Sequence, residues 1–342
     1  MSDILEIDGS YSEAGGQIAR TAVALAAVTG KSCHIFNIRK GRKEPGLKAQ
    51  HLKGIEACAK LCNAELIGAK IGSTEIKFVP KEMFGGKLKI DVGTAGSIIL
   101  VLQTLVVPSL YAKKKVELEI IGGTDVKWSP PVSYFQHIFC DFLKRMGVEI
   151  KIETQKYGFY PNGGGRVTVS IKPCKKLKPL ILKEKGAFQK IDVCSIASEE
   201  LKKARVCERQ IEGFKKILIP NNSFVVYVQT LSPGSSVHAH AHFENCKLGA
   251  DSLGERGKPA EKVGEECASL LKKQIDSGAC LDEWMADQIL PFAALACKNG
   301  ESLFNVAEVT KHSLTNAWII EKFLPVKFKI DEKHKIISCA SQ

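Results

Sequence analysis

His312 stands just ahead of Ser313-Leu314-Thr315-Asn316-Ala317-Trp318-Ile319-Ile320, where a helical apolar period begins. Ser313 is a suitable N-cap, and the helix it opens would turn Leu314, Ala317, Trp318 and Leu324 inward. The imidazole then lies at the positive end of a helix, which disfavours the imidazolium and leaves a nucleophilic ring beside a natural phosphate site. The same position also suits a purely structural histidine.

A second set opens the chain: Glu13, Gly15, Gly16, Gln17 and Arg20, then Arg39, Arg42, Lys43 and Gln50. A glycine pair at a helix start leaves backbone N–H groups open to an anion, and arginines grip phosphate bidentately. A tight turn followed by a solvated basic loop explains the same residues without a ligand. In Tyr157-Gly158-Phe159-Tyr160-Pro161-Asn162-Gly163-Gly164-Gly165-Arg166-Val167, consecutive glycines cost chain entropy, so a close backbone approach or an unusual dihedral is expected. The spacing is neither a P-loop nor a Rossmann fingerprint. Gln103, alone inside an apolar helix, needs partners, either a ligand or a neighbouring backbone group. His238, His240 and His242 alternate along a strand and share a face, a geometry able to hold a metal; with no carboxylate or cysteine beside them, a structural role is preferred.

These residues must be positioned by repeated α/β elements. Helical segments begin at Ala14 to Ala27, Thr94 to Leu105 and Ala286 to Ala296, the first two about 80 positions apart. Strand-like runs occur at Val116 to Ile121, Val148 to Ile152 and Val167 to Ile171. From Lys183 to Ser277 the order changes to strand (190–198), helix (199–217), strands (223–229 and 236–243) and helix (260–275). This reads as a small α+β domain inserted between the second and third units, with linkers at Pro173 to Pro179 and Asp276-Ser277-Gly278.

At 342 residues the chain exceeds one ordinary core, so two domains are expected. A net charge of +12 favours polyanionic partners such as RNA or nucleotides. The 12 cysteines lie singly, without a CxxC pattern, and no secretory leader opens the chain, which suits reduced thiols in the cytoplasm. The apolar run Ile98 to Leu110 is too short to span a bilayer and contains Gln103.

Gly158 to Val167, Trp284-Met285-Ala286-Asp287-Gln288 and His312-Ser313-Leu314-Thr315-Asn316, in this order and spacing, resemble the RNA 3′-terminal phosphate cyclase family over about Ile7 to Ile330. Where the family's glycine signature opens with Arg or His, this chain has Tyr157. The resemblance implies an α/β (α+β) fold: three units, each pairing two helices with a four-stranded sheet, form a large domain (1–182 and 277–342) that carries the smaller insert (183–276). It implies ATP-dependent conversion of an RNA 3′-phosphate to a 2′,3′-cyclic phosphate through histidine-AMP and RNA-adenylate intermediates. His312 would be the nucleophile, with Glu13, Arg20, Arg42 and Gln50 as polar catalytic residues. Gln103, Asp287 and Gln288 would bind the nucleotide, and Trp284, with Met285 and Ala286, would meet adenine opposite Pro130 or Pro131. Mg²⁺ or Mn²⁺ would accompany ATP, with Glu13 as its ligand. RNA bearing a 3′-phosphate is the expected partner, a homodimer is left open, and no membrane is involved. Two other readings share the repeated fold: a non-catalytic cyclase-like ribosome-assembly factor, which departs at the nucleophile, and an enolpyruvyl transferase, which lacks the His312 motif.

Overall fold

Residues 4–12 and 15–342 are described in a computed structural model; Glu13 lies outside the described residues. The first sheet is built from β1 (Leu5–Asp8), β2 (Cys33–Phe36), β3 (Glu65–Ile67) and β4 (Ile76–Val79), with α1 (Gln17–Thr29) and α2 (Ala49–Leu61) between strands. The second takes β5 (Gly86–Asp91), β6 (Val116–Gly122), β7 (Ile150–Lys156) and β8 (Gly165–Ile171). Its helices are α3 (Ile98–Ser109) and, on either side of a π-helical stretch, α4 (Val132–Tyr134) and α5 (Cys140–Arg145). There follow β9 (Ile181–Leu182), β10 (Phe188–Ser198), α6 (Val206–Lys215), β11 (Asn222–Val228), β12 (Ser235–Phe243), β13 (Lys247–Leu253) and α7 (Ala260–Asp276). The chain closes with α8 (Met285–Gln288), α9 (Leu290–Ala296), β14 (Ser302–Asn305), α10 (Lys311–Phe323), β15 (Val326–Asp331) and β16 (Ile336–Ser341).

The strands form four mixed, four-stranded sheets, ordered β1-β2-β4-β3, β5-β6-β8-β7, β9-β14-β16-β15 and β11-β10-β12-β13. In the first three, the leading pair is parallel and the other two pairings are antiparallel. The fourth shares these pairing directions but not the chain order: its first strand, β10, lies second, between β11 (parallel) and β12 (antiparallel), and β13 closes the other edge.

The helices pack where their sequences allow close approach. α1 buries Ala19, Ala22, Ala24, Ala26 and Ala27, and small side chains let α3 and α10 lie against it. α3 is apolar but for Gln103, Thr104 and Ser109, and is buried on every side except at Gln103, as so apolar a helix must be. The expected helix over 199–217 is shorter: a 3₁₀ turn at Glu199–Leu201 precedes α6, and Arg205 at φ 51° interrupts the helical path. The segment starting at Ala286 divides into α8 and α9, with Pro291 in the first turn of α9, where its missing N–H costs nothing. Among the described residues, no helix is long and apolar enough to cross a membrane.

Candidate active site

Helices from three sheets converge on one point. Gln17 is the first residue of α1, His312 the second of α10, Asp287 and Gln288 end α8, and Gln103 lies midway along α3. The cap of α10 is Thr310, not Ser313: Thr310 Oγ1 accepts from Ser313 N at 3.1 Å, so the helix starts three residues earlier than expected. His312 therefore sits inside the first turn. The buried face also differs, comprising Ser313, Asn316, Ala317, Ile320 and Phe323, with Leu314, Trp318 and Leu324 only half-buried. Asn316 turns inward because it has partners there: it donates to the Asp287 carbonyl at 2.7 Å, and Thr21 Oγ1 donates to its Oδ1 at 2.8 Å.

A directed chain ends on the imidazole. A carboxylate only accepts hydrogen bonds, so Gln17 must turn its amide nitrogen to Asp287, and Nε2 lies 2.7 Å from Oδ2. Gln17 Oε1 is left facing His312 Nδ1 at 3.0 Å, and a carbonyl oxygen cannot donate. Nδ1 therefore carries the proton in this contact, which makes Nε2 the nitrogen that can act as a nucleophile when the ring is neutral. A second chain runs from Arg20 Nη2 to Gln103 Oε1 (3.2 Å), from Gln103 Nε2 to Gln288 Oε1 (3.0 Å), and from Gln288 Nε2 to the Trp284 carbonyl (2.8 Å). Gln103 thus bonds side chains on two other helices, rather than a backbone group of its own. The two chains line one cavity with Gln17, Arg20, Gln103, Asp287, Gln288 and Asn316.

Its surroundings suit an anion. α1 and α10 begin side by side: a methyl group added to Gly15 would lie 3.7 Å from His312 Cε1 and 3.8 Å from Arg42 Nη2. The N-cap of α1 is Gly16, which has no side chain to cap it, so among the described residues the N–H groups of its first turn are left for an anion. Burial pushes the Arg20 guanidinium down to about 10, against the pull of Asp287, and leaves it charged at neutral pH. His51 packs directly beneath Gly16, where a Cβ would overlap its ring. Burial first, then Arg20, Arg39 and Lys48, pushes that imidazole down to about 3, so it is neutral.

The remaining expected residues do not line that cavity. Gln50 reaches from α2 to the turn before α3, its Oε1 2.7 Å from a Cβ built on Gly96. The glycine run combines both expected features: Gly163 and Gly164 have φ of 67° and 70°, and a methyl on Gly163 would come within 2.8 Å of Ala95 Cα. Pro130 leads into Pro131, which precedes α4 as its N-cap; from α4, the Tyr134 hydroxyl donates to Asp282 Oδ1 at 2.5 Å. The same oxygen accepts from Trp284 N (3.1 Å) and Met285 N (2.8 Å), which ties the proline turn to the Trp284 turn. Met285 and Ala286 are fully buried, main chain included. Glu13 cannot be placed, since it lies outside the described residues.

The three alternating histidines go to separate partners: His238 pairs with Asp125 at 2.8 Å, His240 lies against the ring of His137, and His242 pairs with Asp192 at 3.0 Å. Among the described residues no group of three His, Cys, Asp or Glu side chains is arranged to hold a metal. The sequence placed Gln17 at the start of the first helix without a role of its own and passed over Thr21, His51 and the inward turn of Asn316. A capping analysis starting from Thr310 would have found the last of these.

The family model for RNA 3′-terminal phosphate cyclase matches residues 11–330. Proteins named RNA 3′-terminal phosphate cyclase are similar over nearly their whole length. That of Methanosarcina barkeri is 45% identical, covering 96% of this chain and 97% of its own. That of Pyrococcus furiosus is 44% identical, covering 95% and 94%, and that of Methanopyrus kandleri is 44% identical, covering 96% of each.

Proposed function

The chain belongs to the RNA 3′-terminal phosphate cyclase family, and from this we propose that it converts an RNA 3′-phosphate to a 2′,3′-cyclic phosphate, consuming ATP, with His312 as the transient carrier of AMP. The observation carrying the proposal is the Asp287–Gln17–His312 chain, which holds the imidazole by a protonated Nδ1 in the first turn of α10, beside the start of α1. His312 Nε2 attacks the α-phosphorus of ATP, and the bond to pyrophosphate breaks. An oxygen of the RNA 3′-phosphate then attacks the same phosphorus, freeing His312. Finally the neighbouring 2′-oxygen, losing its proton, attacks the RNA phosphorus and expels AMP. A phosphate monoester has no adequate leaving group until AMP is attached, which is why ATP is needed.

Arg20, Arg42 and the first-turn N–H groups would hold phosphate oxygens, while Gln103 and Gln288 set the floor of the nucleotide site. A divalent cation, Mg²⁺ or Mn²⁺, would come with the triphosphate, whose oxygens suit a hard cation, and Glu13 would be its protein ligand. Once bound, it would neutralise charge on the reacting phosphates. The shared strand order of three sheets supports three repeats with residues 183–276 inserted before the last, and twelve free thiols support a reducing cytoplasm.

Incubation with α-labelled ATP and Mg²⁺ should leave acid-labile, alkali-stable label on the protein, lost in His312→Ala. A 3′-phosphorylated oligoribonucleotide should become phosphatase-resistant. Equal labelling of wild type and His312→Ala would refute the carrier role, and a non-catalytic assembly factor would give neither label nor product.

A further inference from the structure

Trp128 is 95% exposed, the most exposed large hydrophobic residue among those described. Its backbone is left-handed, with φ 63°, a conformation that costs free energy at any residue with a Cβ. Packing offsets none of that cost, since the indole touches little of its own protein. Strain that folding does not use points to function.

The loop that presents it is firmly held. On one side, Gly123 N donates to Gly96 O (2.9 Å), Thr124 N to Gly158 O (2.9 Å), and Asp125 pairs with His238. Lys127 pairs with Glu255 at 2.8 Å; beyond the indole, Ser129 Oγ donates to Val126 O, and Val132 N returns to Thr124 O. The indole is thus a flat plate on a braced mount. Its mount is continuous with the site: Gly123 packs on the turn that opens α3, and Pro131 leads through Tyr134 and Asp282 to Trp284.

We propose that Trp128 is a stacking platform for a nucleobase upstream of the RNA 3′ end, an inference that rests on the RNA reading above. Only the terminal nucleotide can occupy the His312 site, so the preceding nucleotides must lie across the rim. Every base has a π-face, so an indole holds RNA of any sequence, and the chain's +12 charge attracts the polyanion that carries it.

The test measures direct binding and KM with a 3′-phosphorylated oligoribonucleotide, for wild type, Trp128→Gly and Trp128→Phe. Glycine relieves the backbone, so W128G should melt no lower than wild type, yet bind RNA about 10-fold more weakly, with the loss falling on KM and not kcat. W128F should regain most of the affinity. With a single nucleoside 3′-phosphate, which has no upstream base, the deficit should vanish. Affinity within twofold of wild type for W128G, or a deficit that persists with the single nucleotide, would overturn the proposal. So would loss of self-association in W128G with RNA affinity intact, which would assign the indole to a second copy of the chain. Binding needs no turnover, so failure of ATP labelling leaves this result readable.

Discussion

At the scale of single residues, the candidate nucleophile depends on an amide 295 positions away in sequence. If Gln17 fixes the tautomer of His312, then Gln17→Ala leaves the imidazole free to present either nitrogen or to rotate. Adenylylation should slow about 10- to 100-fold, with the label still on histidine. A Q17A protein labelled at the wild-type rate would show that the ring needs no such orientation. The sequence contained the nucleophile in a recognisable motif but not its orienting partner, because nothing local distinguishes a helix-start glutamine that bonds a distant imidazole from one facing solvent. Trp128 escaped for a related reason: residue type favours burial, and exposure is a property of the finished fold.

Among elements, long periodic segments such as α3 and α7 were legible, whereas strands of two to four residues such as β1, β9 and β14 are too short to show alternation. β13 was missed because Lys247-Leu-Gly-Ala-Asp-Ser-Leu is rich in residues that strands avoid; it is held by pairing with β12 instead. The contact between β12 and the loop after β6 was equally invisible, although it buries an ion pair. Burial pushes the His238 imidazole down, but the charge and hydrogen bond of Asp125, with Asp251 behind, more than offset this and raise it. Burial likewise pushes the Asp125 carboxyl up, and His238, Thr124 and Ser236 bring it below its usual range. Stability from His238 is therefore complete below its ordinary value near 6.5 and lost as pH rises through the raised one; that from Asp125 is lost as pH falls through its lowered one. Asp251, pushed up to about 6 by burial, also favours unfolding as pH rises. His238→Gln should cost about 3 kcal/mol at pH 6, since it strands a buried carboxylate, and its melting point should fall less steeply than wild type between pH 6 and 9. Parallel melting profiles would rule out the pair as the titrating element.

For the whole molecule, the question is where the net charge of +12 acts. On β5 the basic residues are matched from β6: Lys87 with Glu117 at 3.4 Å and Lys89 with Glu119 at 3.1 Å, exposed pairs that add little stability and cancel much of the local field. Residues 39–48 differ, with Arg39, Lys40, Arg42, Lys43 and Lys48 against Glu44 alone. Arg42 in this segment stands beside His312, and Lys40 and Lys43 flank it on the exposed surface. RNA presenting its 3′-phosphate to His312 must pass this loop, so its phosphates should displace counterions here. If Lys40 and Lys43 each neutralise one phosphate, their share of the binding should fall about sevenfold between 50 and 200 mM salt. Lys40→Ala with Lys43→Ala should then flatten the salt dependence by that amount, while Lys87→Ala with Lys89→Ala leaves the slope unchanged. Equal slopes for both double variants would mean that the excess charge attracts RNA as a diffuse field, and that the loop beside the nucleophile guides it no more than any other surface.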